Sequence, residues 1–262
     1  MWLISFWVFP VISACMWISM LLGMLGTWLA EGSPVYHDSM TDGQTIAYIS
    51  DVGAERLKPL FIAGSAVTVV FLDLSFLSER WLRHAGQLVR NKGLLDKSCA
   101  IGSIFFSIAG ALGLILLSIF DTVHYPRLHD GFLVMFIGGY LVSAILVCIE
   151  YWRLGYSYRP HHRVLLVSFW VKVAFIVIEL ALAIAFGVLD QYGTTSKQLN
   201  TAAVLEWVIA LIFTFYVLSF VIDLLPSVRT RNHVPQGEKR FSMTSRENGE
   251  SLEAPAYTGQ HF

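Results

Sequence analysis

The stretch FDTVHYPRLHD, residues 120–130, places Asp121, His124, His129 and Asp130 within eleven positions of an otherwise strongly apolar chain. Imidazoles and carboxylates this close could ligate a metal, exchange a proton as acid and base, or tie a loop to its own backbone. A second polar stretch, YISD at 48–51, adds Ser50 and Asp51. Spacing separates the three chemistries. His124 and His129 are five apart, not the i, i+4 pair of an H-E-x-x-H zinc helix. Asp121 and His124, three apart, fit one helix face. A His–Asp pair facing a leaflet could act on a lipid ester. No G-x-S-x-G turn accompanies it, however, and Ser50 is the nearest candidate nucleophile. The expected role is structural: Asp51, Asp121 and His124 cap helix ends and anchor loops. No catalytic residue, metal or cofactor is expected.

These residues depend on the elements around them. Of 262 residues, 55% are hydrophobic and 14% charged, against about 25% charged in a soluble domain. Apolar stretches recur at roughly 4–29, 59–79, 98–120, 132–151, 164–189 and 203–225. Each suits a bilayer-spanning helix of about 20 residues. The fold class is therefore all-α, a polytopic membrane protein with six transmembrane helices in a domain covering 1–226. Residues 227–262 read as a disordered tail. The uncharged start, Trp2–Ala30, lacks a basic n-region and reads as an uncleaved first span. Pro10 should kink or end its first turns. Ser103, Ser107 and Ala111 in span three, and Ala183 and Gly187 in span five, are small residues at four-residue spacing that permit close helix approach. Cys15, Cys99 and Cys148 form no disulfide framework.

Lysine and arginine set the orientation. The segments 80–97, 152–163 and the tail carry thirteen, including Arg80, Arg83, Arg153, Arg229, Arg231, Lys239 and Arg240. The alternate loops carry only Arg56, Lys58, Arg127 and Lys197. The positive-inside rule places both termini in the cytosol and the two polar stretches on the opposite side. Inside the spans lie Asp73, Lys172, Glu179 and Glu206. Each needs a partner or a wet cavity. Asp73 and Lys172 lie at matching depths and are expected to pair, unless Lys172 snorkels to the interface. Glu179 is nearest mid-membrane and Glu206 lies near the outer end of span six. Glu150 and Asp223 are read as interfacial.

In order along the chain, AYISDVGA (47–54), LSIFDTVHYPRLHDGF (117–132), EYWRLG (150–155) and the last two spans resemble the Frag/DRAM/Sfk family of six-span proteins, specifically its fungal suppressor-of-four-kinase-like branch. The resemblance implies a non-catalytic protein supporting phosphatidylinositol 4-kinase signalling and lipid organisation at the plasma membrane. Other branches imply autophagy modulation at the vacuole or lysosome, or GPI-anchor lipid remodelling in the ER or Golgi. Expected partners are membrane lipids, including anionic phosphoinositides, and a peripheral lipid-kinase complex on the cytosolic side, but no nucleic acid. The tail residues Arg229, Arg231, Lys239 and Arg240 would contact anionic lipid.

Overall fold

A long apolar run in a bilayer has one way to satisfy its own amides within the segment, which is helix. The computed structural model describes residues 5–89, 93–157 and 163–229. Its helices are α1 (Val8–Ala30), α2 (Ile49–Ala54), α3 (Lys58–His84), α4 (Leu94–Ile119), α5 (Pro126–Ser157), α6 (Arg163–Tyr192), α7 (Ser196–Leu224) and α8 (Pro226–Arg229). Six of them, α1 and α3 to α7, are long and apolar enough to cross a membrane. Pro10 lies in the first turn of α1, where a missing N–H breaks no helical bond. Several helices outrun their apolar stretches. Polar caps sustain the extra turns: Thr195 Oγ1 accepts from Gln198 N, and Gln198 Oε1 accepts from Thr195 N, at the start of α7.

Side-chain contacts fix the directions of the helices. At one end, Lys58 at the start of α3 pairs with Asp121 just past α4, at 2.5 Å, and Arg56 pairs with Glu31 just past α1, at 2.7 Å. At the other end, Tyr151 of α5 donates to Glu79 of α3, Arg153 of α5 to Asp96 at the start of α4, and Lys172 of α6 to Asp223 of α7. Phe6 and Trp7 pack on Leu82, Leu88 and Leu224 there, so the start of α1 and the end of α7 share that end.

The core runs along the bundle axis through Trp17, Leu21, Leu72, Phe76, Val217 and Phe220. α4 and α5 approach most closely through glycines that the four-residue spacing did not single out. A Cβ on Gly113 would sit 2.6 Å from Phe136 N, and one on Gly139 2.6 Å from Gly110 N. Gly187, by contrast, faces nothing within 4 Å. The outer face of α6 leaves Val177, Ile178, Ile184 and Val188 exposed, as lipid contact requires. Trp81, Trp152 and Tyr156 are exposed at one end and Tyr125 and Tyr192 at the other. Amphipathic rings collect at the two faces of a bilayer in this way.

Candidate functional site

The residues of the two polar stretches, 48–51 and 120–130, hydrogen-bond to different partners and not to one another across the stretches. Asp51 is buried in the first turn of the short helix α2 and accepts from Tyr48 N at 2.9 Å, an N-terminal cap. Burial pushes the Asp51 carboxyl up from its ordinary value, and the Tyr48 N–H opposes that. Ser50 lies beside it in the same helix. Asp121 is also buried. It accepts from Lys58 Nζ at 2.5 Å, from His124 N at 2.7 Å and from the His124 ring at 2.9 Å. Burial would raise this carboxyl, but the Lys58 ammonium and the His124 donors outweigh burial and hold it well below the usual carboxylate range.

His129 and Asp130 belong to the first turns of α5 and not to a loop, because α5 begins at Pro126. His129 is buried, and its Nδ1 lies 3.0 Å from both Leu117 O and Phe120 O. Two carbonyl acceptors require the proton on Nδ1, so this histidine caps the last turn of α4. Asp130 is exposed. Among the described residues, no three His, Cys, Asp or Glu side chains gather closely enough to hold a metal ion. Glu206 accepts from Ile49 N at 2.7 Å, which ties α2 to α7. Trp207 Nε1 donates to Ala47 O beside it.

The opposite end holds a network that the sequence reading missed. Glu79 Oε1 accepts from Arg83 Nη2 at 2.6 Å and from Tyr151 Oη at 2.6 Å, and Arg83 Nη1 donates to Val89 O. Glu150 lies 3.7 Å from Arg83 Nε. Lys172 is wholly buried, 2.6 Å from Asp223 and within hydrogen-bond reach of Ser168 and Ser219. Its ammonium stands 4.1 Å from the Phe220 ring centroid and 5.3 Å from that of Tyr151, which Arg83 flanks at 5.2 Å. Tyr151 thus sits between two buried cations and joins the two groups of charges.

This arrangement corrects three expectations. Lys172 pairs with Asp223 and not with Asp73. Asp73 instead accepts from Ser107 of α4, because α3 turns its half-buried carboxylate toward α4. Arg83 is not an exposed loop charge, because α3 continues to His84 and buries it. Glu150 and Asp223, read as interfacial, are buried within the protein at that end of the bundle, close to Arg83 and bonded to Lys172 respectively. A signal was present in the sequence: Glu79/Arg83, Ser168/Lys172 and Ser219/Asp223 are all i, i+4 pairs that share a helix face. Arg229 closes α8. Arg231, Lys239 and Arg240, with the disordered-tail reading, lie outside the described residues.

Six helices long and apolar enough to cross a membrane define an integral membrane protein. The chain belongs to the family described as the Frag1/DRAM/Sfk1/Cwh43P N-terminal domain, which matches residues 5–227. It is 30% identical over 227 residues to Protein sfk1 of Schizosaccharomyces pombe, covering 87% of this chain and 66% of that one. It is 28% identical over 192 residues to Protein SFK1 of Saccharomyces cerevisiae, covering 60% of this chain and 52% of that one. The chain therefore spans less than two thirds of the length of either relative. No solved structure matches it.

Proposed function

We propose that this protein is a non-catalytic membrane scaffold that supports phosphatidylinositol 4-kinase signalling and lipid organisation at the plasma membrane. The reading rests on one observation above others. The buried Glu79–Arg83–Tyr151 and Lys172–Asp223 groups tie together α3, α5, α6 and α7 at the end of the bundle that carries Arg80, Arg83, Lys97 and Arg153. Lys97 and Arg153 are exposed there, among Trp81 and Trp152. A rigid, basic, interface-seeking surface suits anionic phosphoinositides and a peripheral kinase complex. Family membership and the likeness to the two sfk1 proteins support the same direction. The dispersed, backbone-bonded outer-loop residues favour anchoring over lipid chemistry.

The test is deletion of the protein in cells carrying a fluorescent phosphatidylinositol 4-phosphate reporter, with a tagged copy at native expression. The expected result is a tagged copy at the plasma membrane and a loss of reporter signal there on deletion. An unchanged reporter signal, or a vacuolar or ER location, overturns the proposal.

A further inference from the structure

Between α5, α6 and α7 runs an apolar cleft with a cavity volume of about 110 Å³. Its walls are single helical stripes. On α6, Ile176, Leu180, Ala183 and Phe186 share a face with Glu179, and Phe136 and Tyr140 of α5 stand opposite. α5 and α6 meet where Gly155 packs against Leu166, near their connection, and the cleft separates them further along. Two carboxyls line it. Glu206 already accepts from Ile49 N. Glu179 Oε1 is buried from solvent with no hydrogen-bond partner.

A buried carboxyl oxygen without a donor is unfavourable in hydrocarbon surroundings. Such an atom, lining a cleft between spanning helices, calls for a ligand that would supply the missing donor. The lining has no Lys, Arg or His, so a phosphate headgroup would meet no counter-charge there. An ammonium at that depth would be desolvated with a single partner. A hydroxyl avoids both penalties, because it donates to a carboxyl in either protonation state. Leu180, 38% exposed, lies at the mouth. Entry past Leu180, on the exposed side of α6, would let a lipid chain reach Glu179.

We propose that the cleft between α5 and α6 is a lateral binding site for a two-chained lipid with an uncharged alcohol headgroup, of the diacylglycerol class, whose hydroxyl donates to Glu179 Oε1. The site is independent of which membrane holds the protein and of any kinase partner.

The experiment uses the full chain in vesicles containing a photoactivatable, clickable diacylglycerol, with cross-linked peptides mapped by mass spectrometry. Cross-links are expected on the cleft stripes of α5 and α6, displaced by unlabelled diacylglycerol about tenfold better than by phosphatidic acid or a fatty-acid methyl ester with the same chains. Glu179→Leu is expected to lower the yield about tenfold at unchanged melting temperature, and Ala183→Trp to abolish it by filling the cleft. Equal competition by phosphatidic acid overturns the proposal on the wild-type protein alone. So do cross-links confined to the outward Val177, Ile184 and Val188, or an unchanged yield in a folded Glu179→Leu variant.

Discussion

Lys172 is the one cation among the eighteen Lys and Arg that falls in the middle of an apolar stretch, and its chemistry is set by what surrounds its Nζ. Removing it leaves Asp223 as an uncompensated buried charge. Lys172→Ala is therefore expected to destabilise the protein by about 3–5 kcal/mol, read as a lowered melting temperature in detergent. Pairing Lys172→Met with Asp223→Leu removes both charges and is expected to restore most of that loss; no recovery in the double variant would show that the pair is not coupled. At the other end, two carboxylates respond to pH in opposite senses. Asp121 has its pKa lowered in the fold, so its stabilisation is complete above the unfolded value of about 4 and is lost as pH falls through the folded value. Asp121→Asn should lower the melting temperature at neutral pH, and the gap to wild type should narrow in acid. Asp51 has its pKa raised, so its ionised form is disfavoured and its contribution falls as pH rises from the unfolded value of about 4 toward the higher folded value. Asp51→Asn keeps an oxygen for Tyr48 N, and its stability relative to wild type should rise with pH. A pH-independent difference in both variants would refute the assignment.

At the scale of elements, the α4–α5 contact has the least room. Gly113→Ala forces a methyl against the Phe136 backbone, which cannot rotate away as a side chain could. The expected loss is about 1–3 kcal/mol in detergent melting. Gly187→Ala, with open space around its Cα, should be neutral or slightly stabilising and serves as the control. The six-residue α2 is too short to persist alone. It is held by Glu206, by Trp207 and by Asn200 Oδ1, which accepts from Thr45 N and Ile46 N. The YISD stretch pointed to a helix-capping Asp51 but not to the dependence of α2 on the first half of α7, more than 150 residues away along the chain.

At the scale of the whole molecule, the start of α1 and the end of α7 lie together, at the end where the basic residues concentrate. A tag fused at Phe262 should be digested by protease only when the cytosolic face is accessible, and be protected in sealed vesicles of cytosol-inside orientation. Digestion from the exoplasmic face would reverse the orientation and detach the basic end from any cytosolic kinase.

The sequence by itself determined that there are six spanning helices and roughly where they lie, because bilayer thickness and the need to bond every amide leave few other solutions for runs of about 20 apolar residues. It also located the residues that need partners, since a charge in an apolar run is conspicuous. The partners themselves came only from the tertiary structure. Whether Lys172 meets Asp73 or Asp223 depends on the rotation of each helix about its axis and on which neighbours touch. Packing across distant segments decides that, and a one-dimensional pattern does not encode it. The same holds for FDTVHYPRLHD: its composition suggested a cluster, whereas the fold sends Asp121 to Lys58, His129 to the last carbonyls of α4 and Asp130 to the surface.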